Sequence, residues 1–305
     1  MPSLQSQIFN TVLRNRHLMR FKLRPEVWDF NTSVPAYRQM CEDGAAKMKL
    51  PAEITCQPLT ISGITAEWVH PPALLEGTAV LFTHGGGYIS GSCSDHRGHV
   101  AKMVQGCGVS ALLFDYRLAP EHPFPAGLED TLTVYRWMLD QGYAPEKIMI
   151  VGDSAGGGLC LAALLAIRGQ GLPLPAAAVA VSPWTDLALT GESYRTKVKV
   201  CLSPLNMSKV CSKYYCGDHD PTEPWISPLY GDLHGLPPLL IMVGDDETMR
   251  DDSVSFAKKA RAAGVDATLR VEMGQVHCYP FLAPLFPEAT AGMAEMCRFI
   301  QKHLH

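Results

Sequence analysis

Ser154 stands in Gly152-Asp153-Ser154-Ala155-Gly156-Gly157, between the apolar run Lys147-Ile148-Met149-Ile150-Val151 and the Ala/Leu-rich stretch Leu159 to Ile167. The order reads as strand, sharp turn, helix. A serine at such a turn takes up a strained backbone, and glycines at 152 and 156 leave room for the chain to fold back. The hydroxyl is thereby pushed to the tip of the turn, where the following helix aims its free N–H groups and positive dipole end. Negative charge formed by attack of Ser154 on a carbonyl would be stabilised there. The chemistry this pattern predicts is acyl transfer through a nucleophilic serine.

His84-Gly85-Gly86-Gly87 follows a second apolar run, Thr78 to Thr83, and three successive glycines let backbone N–H groups approach a ligand closely. A phosphate cradle would need a lysine where Ser92 follows the Gly86-to-Gly91 spacing, and the dinucleotide spacing fails at Ser90. The expected anion is therefore an oxyanion, held by the N–H groups of Gly85, Gly86 and Ala155. Asp153, beside the serine on a tight turn, points elsewhere and is expected to be structural. So are Asp115, Tyr116 and Arg117, which should brace the loops beneath the site. His96 and His99 fall near the glycine loop and are expected to line the mouth of a pocket. His96-x-x-His99 lacks the glutamate of a zinc-protease helix, and Cys211 and Cys216 have no second pair, so no metal is expected.

The elements that must hold these residues follow from periodicity. Thr78 to Thr83, Ser110 to Phe114, Lys147 to Val151, Ala176 to Val181, Leu239 to Val243 and Ala267 to Val271 are short and apolar on both faces, with helical stretches between them. They predict an α/β fold, a mostly parallel sheet covered by helices on both sides. Ile54 to Ile61 and Thr65 to His70, joined at Gly63, suit a hairpin at the sheet edge. Residues 1 to 50 carry helical periodicity, with Ile8, Val12 and Leu13 on one face and Arg14, Arg16 and Arg20 nearby; a lid helix packed on the body is preferred to a membrane-surface segment. Residues 188 to 225 interrupt the alternation and would lie over the carboxyl ends of the strands, where ligands bind in such folds. The expected organisation is residues 1–50 as the N-terminal part of a helical cap, 51–187 as core, 188–225 as a cap insertion and 226–305 as core.

Composition excludes several classes of partner. Of 305 residues, 47% are apolar and 18% charged, and a net charge of −4 provides no field for nucleic acid or an anionic membrane. The first residues show no secretory signal and no run reaches membrane-spanning length, so a cytoplasmic location without stable membrane insertion is expected. The ten cysteines are scattered and read mainly as free thiols packed as small hydrophobes.

His84-Gly85-Gly86-Gly87, Asp115-Tyr116-Arg117-Leu118-Ala119-Pro120-Glu121, Gly152-Asp153-Ser154-Ala155-Gly156-Gly157 and Ser182-Pro183-Trp184-Thr185-Asp186-Leu187 stand in the order and spacing of one family. From about residue 75 onward the chain resembles the hormone-sensitive-lipase family of α/β-hydrolases, and the N-terminal region resembles that family's cap. The resemblance implies an α/β-hydrolase fold and a carboxylesterase acting on short acyl esters through a Ser-His-acid triad, with no cofactor. His277, in Gly274-Gln275-Val276-His277 after the last strand, occupies the family's histidine position, although Cys278-Tyr279 replaces the usual Gly-Phe.

The acid is harder to identify, because Asp245, Asp246, Glu247, Asp251 and Asp252 crowd one loop. Asp251 and Asp252 suit the opening of a helix from Ser253 to Ala263, where carboxylates meet free N–H groups and the dipole. The family's Gly-x-x-Asp-Pro-Leu-x-Asp-Asp, laid over Gly244 to Asp252, implies Glu247 as the triad acid, with Asp246 the alternative if the loop is one residue out of register. The expected partner is a small-molecule ester, with a homodimer possible. An amidase or lactonase would share the triad. A non-catalytic small-molecule receptor on the same fold is the other alternative, and the presence of His277 argues against it. With a histidine of ordinary pKa near 6.5 as base, activity should fall below about pH 6.

Overall fold

The computed structural model describes residues 2–15, 26–204 and 206–304. Its strands are β1 (Thr55–Ile61), β2 (Ile64–His70), β3 (Ala79–Thr83), β4 (Ser110–Phe114), β5 (Ile148–Asp153), β6 (Ala177–Val181), β7 (Leu239–Gly244) and β8 (Ala267–Glu272). They form one eight-stranded sheet in the order β1-β2-β4-β3-β5-β6-β7-β8. The hairpin β1-β2 stands at one edge and joins β4 antiparallel; from β4 to β8 every pairing is parallel. Among the described residues the α-helices are α1 (Leu4–Arg14), α2 (Val34–Ala45), α3 (Cys93–Cys107), α4 (Ala126–Asp140), α5 (Ala155–Gly169), α6 (Ser193–Thr196), α7 (Met207–Cys216), α8 (Arg250–Ala262) and α9 (Pro287–Leu304).

Successive side chains of a strand point to opposite faces, so the both-sides-apolar runs supply two cores. Leu81, Leu112, Ile150 and Ile241 pack to one side with Leu161 and Leu164 of α5. Val80, Phe82, Val151 and Met242 pack to the other, under Val100 and Val104 of α3 and Met296 and Ile300 of α9. Burial of side chains of this size stabilises the fold by about 1.5–3 kcal/mol each. Among the described residues all ten cysteines are free, and six of them are buried.

Three local expectations change. β5 does not end at Val151: Gly152 and Asp153 continue its register against Ala180 and Val181, so the ladder holds the chain up to the residue before Ser154. The helix expected from Ser253 begins at Arg250, and Asp252 Oδ2 accepts the backbone N–H groups of Thr185 (2.9 Å) and Asp186 (2.8 Å). That carboxyl pins the loop after β6 instead of capping the helix. In α1 Phe9 packs against Phe286, but the stripe Leu4, Ile8 and Val12 does not face the body. Leu4, Ile8 and Val12 are 71%, 58% and 48% exposed, while Ser6 and Asn10 are buried, because these two have hydrogen-bond partners in the loop after β8. Arg16 and Arg20 lie outside the described residues. Among the described residues no helix is long and apolar enough to cross a membrane.

Candidate active site

β5 delivers Ser154 into the left-handed half of backbone space, at φ 56° and ψ −124°. A non-glycine residue there is strained and must be held by its surroundings. The Ser154 N–H donates to Val181 O at 2.8 Å, and the Trp184 N–H donates to Ser154 O at 3.0 Å. The flanking glycines are required by close approach: a Cβ on Gly152 would lie 2.3 Å from Gly156 O, and one on Gly156 would lie 2.1 Å from Thr83 O.

The loops after β7 and β8 bring two further side chains to this turn. His277 Nε2 is 2.9 Å from Ser154 Oγ, and its Nδ1 is 2.5 Å from Glu247 Oε2. Glu247 is fully buried, with Oε1 accepting from Gly244 N (2.6 Å) and Ser182 Oγ (2.8 Å). The neighbouring carboxylates turn outward. Asp246 pairs with Arg14 (2.6 Å) and Lys197 (3.3 Å), Asp245 with Lys197 (3.2 Å) and Arg250 (2.9 Å), and Asp251 with Arg250 (3.0 Å). Burial disfavours a charged imidazole at His277, but Cys278 and the Glu247 carboxylate outweigh it, and the pKa stands well above the ordinary histidine value. The expected loss of activity below about pH 6 therefore moves to higher pH.

The glycine loop departs from expectation at its first glycine. The Gly85 N–H donates to Asp153 Oδ1 at 2.9 Å and lies 3.2 Å from His96 Nε2, so it is occupied and cannot meet an oxyanion. Gly86 and Gly87, at φ 115° and 66°, line the cleft with Ser154 and His277. Among the described residues the N–H groups of Gly86, Gly87 and Ala155 donate to no other group of the chain. Gly87, the third glycine, thus offers the cleft an N–H that sequence reasoning did not single out. The signal was the third glycine itself, since one of the three had to anchor the loop.

Asp153 is that anchor. Burial would push its carboxyl up, but the histidines around it, His96 foremost, hold it below the usual carboxylate range. His96 Nε2 is 3.6 Å from Asp153 Oδ1, and although burial works against its charge, Asp153 raises its pKa. His96 is therefore buried beneath the glycine loop, not at the mouth of the cleft. His99, pushed down to about 4 chiefly by burial, is likewise absent from the cleft lining. Asp115, Tyr116 and Arg117 brace the region: Asp115 Oδ1 accepts from Cys93 N, the Tyr116 hydroxyl donates to His84 O, and Arg117 pairs with Asp130. The cleft above Ser154 has a volume of about 320 Å³. Tyr37 and Met40 line it from α2, and Met207 and Cys211 from α7.

Comparison with known proteins agrees with this architecture. Residues 80–281 match a family model described as alpha/beta hydrolase fold. An acetyl-hydrolase of Streptomyces hygroscopicus is 41% identical over 245 residues, covering 80% of this chain and 81% of that protein. An ethyl acetate hydrolase of Pseudomonas putida is 31% identical, covering 75% and 74%. The crystal structure of an esterase from the bacterial hormone-sensitive lipase family superposes with a TM-score of 0.91 at 38% identity, covering all of both chains. With the family model spanning more than half of the chain, and relatives this similar over most of its length, the chain belongs to the hormone-sensitive-lipase family of α/β-hydrolases.

Proposed function

We propose that this carboxylic ester hydrolase cleaves short-chain acyl esters through an acyl-enzyme on Ser154, with His277 as general base and Glu247 as the triad acid. The observation that carries the reading is the unbroken hydrogen-bonded run from Ser154 Oγ through the His277 imidazole to the buried Glu247 carboxylate, at 2.9 and 2.5 Å. A free serine hydroxyl is a poor nucleophile at neutral pH, so His277 Nε2 takes its proton as Oγ attacks the ester carbonyl. Glu247 at Nδ1 holds the tautomer that leaves Nε2 free to accept, and stabilises the imidazolium that forms. The N–H groups of Gly86, Gly87 and Ala155 receive the oxyanion; each such donor contributes about 3 kcal/mol to barrier lowering. His277 then gives its proton to the leaving alcohol. Water activated by the same imidazole releases the acid and regenerates Ser154.

The small cleft supports short acyl groups, as do relatives named for acetyl and ethyl acetate hydrolysis. We read residues 1–50 and 188–225 as a cap over the core segments 51–187 and 226–305, since both supply side chains to the cleft. A cytoplasmic location belongs to this reading from the sequence, with a homodimer possible.

Turnover of p-nitrophenyl esters of increasing chain length tests it. Rates should be highest for the shortest acyl groups and fall as the acyl chain lengthens. Ser154→Ala should abolish turnover while the thermal melt is retained. Substantial turnover by Ser154→Ala, or rates that climb steadily to long-chain triglycerides at an oil–water interface, would overturn it.

A further inference from the structure

Ser6, Asn10 and Arg14 recur every four residues along α1 and so share one face. This face turns inward, and its hydrogen bonds to distant parts of the chain reach a triad-bearing loop or the insertion. Asn10 Nδ2 donates to Gly274 O at 3.0 Å, and Gln275 Nε2 donates to Ser6 Oγ at 2.7 Å, so the helix holds the two residues that begin the run to His277. One turn further on, Arg14 Nη2 donates to Asp246 Oδ2 at 2.6 Å, beside Glu247, while its Nε donates to Val200 O in the insertion at 3.2 Å. The two loops are also tied to each other, through Asp246 N to Gln275 O at 3.0 Å. Lys197 reaches the other oxygen of Asp246, so this carboxylate is gripped from both parts of the cap.

From this geometry we propose that α1 is a positioning element for the reaction, in which Arg14, acting through Asp246, holds Glu247 against His277. The proposal rests on the reading of Ser154, His277 and Glu247 as the triad. Arg14 touches no reacting atom. Its effect comes from the short reach of the Glu247–His277 contact: a carboxylate 2.5 Å from Nδ1 loses that contact if its loop moves by a fraction of a residue length. The pair is partly buried, with side chains 26% and 20% exposed, so solvent screens it less than an exposed surface pair. The arrangement also explains why a helix with an apolar stripe turns that stripe outward: its polar stripe has the more specific partners.

The test uses the full chain with Arg14→Ala, Arg14→Gln and Arg14→Lys, read by kcat and KM on p-nitrophenyl acetate, by thermal melting, and by the rate at which a sulfonyl fluoride modifies Ser154. Misplacement of a catalytic group by about 1 Å can cost on the order of a hundredfold, so Arg14→Ala should lower kcat by about tenfold or more. KM should stay within about twofold, and sulfonylation should slow in parallel with kcat. Arg14→Gln keeps a donor for Val200 O but loses the charge, and should lower kcat in the same way even if the alanine variant does not fold. Arg14→Lys restores the charge beside Asp246 and should recover most of the loss.

A purely structural Arg14 would lower the melting temperature and leave kcat and sulfonylation at wild-type values, which overturns the proposal. A loss confined to KM would do the same, assigning α1 to substrate contact through the cap. If the triad reading itself were wrong, wild-type Ser154 would resist the sulfonyl fluoride and Ser154→Ala would stay active, a different outcome from either.

Discussion

The Ser182 hydroxyl donates to Glu247 Oε1 at 2.8 Å and accepts the Cys278 N–H at 3.0 Å, so one side chain just past β6 joins Glu247 to the residue after His277. Ser182 itself sits at φ 48°, with its N–H on Met242 O at 2.6 Å. Ser182→Ala keeps the backbone and removes this bridge, leaving a buried N–H unsatisfied. We expect kcat to fall by about tenfold through loosened positioning, and stability to fall by about 1–2 kcal/mol. Steady-state kinetics and a denaturant titration check both, and an unchanged kcat would contradict the bridging role.

Glu247 and Asp246 are adjacent in sequence but opposite in direction, and substitution separates them. Glu247→Gln leaves a neutral amide against His277 Nδ1 and should cost on the order of 10⁴ in kcat, as loss of a triad carboxylate does. Asp246→Asn weakens the grip of Arg14 and Lys197 and should cost about tenfold, as loss of the Arg14 charge does and far less than Glu247→Gln. Both are measured on one short ester at saturating concentration. A near-normal Glu247→Gln enzyme would reassign the acid.

The pH dependence follows from the raised pKa of His277. Below that pKa the imidazole is protonated and cannot accept the Ser154 proton, so kcat/KM should rise with pH as the folded-state group titrates. Because the shift is upward, the midpoint of the acid limb should stand above the ordinary value of about 6.5. A kcat/KM profile on a non-ionising ester reads it directly. A midpoint below 6.5 would mean that burial of the imidazole wins over the Glu247 carboxylate.

Cys278 occupies the left-handed region, at φ 55° and ψ 33°, next to the base. Glycine enters that region freely, whereas an L-residue meets a penalty of about 1–2 kcal/mol and a β-branched one more. Cys278→Gly should therefore hold stability within about 1 kcal/mol of wild type, the released strain offsetting the unfolded-state entropy of glycine. Cys278→Val should lose about 2 kcal/mol. Equal melting of the two variants would show that the backbone here is not strained.

Whatever depends on local backbone chemistry was legible in the sequence. Gly152, Ser154 and Gly156 specify the strained turn because any other flanking residue would collide with Gly156 O or Thr83 O, and that conflict arises within a few residues of chain and one neighbouring strand. The runs around Leu81, Ile150 and Ile241 specify parallel strands because they are apolar on both faces. Side-chain direction in loops was not legible, since it depends on distant partners. Whether Asp246 or Glu247 turns towards His277 is decided by the Gly244 N–H and the Ser182 hydroxyl on one side and by Arg14 and Lys197 on the other. Of the three glycines the sequence pointed to Gly85 and Gly86, but Asp153, at the end of the neighbouring strand β5, takes the N–H of Gly85 and leaves Gly86 and Gly87 lining the cleft. The face that α1 buries was decided in the same way: its apolar stripe suggested one orientation, but the backbone of Gly274 and the side chains of Gln275 and Asp246 are directional partners that only its polar stripe can satisfy.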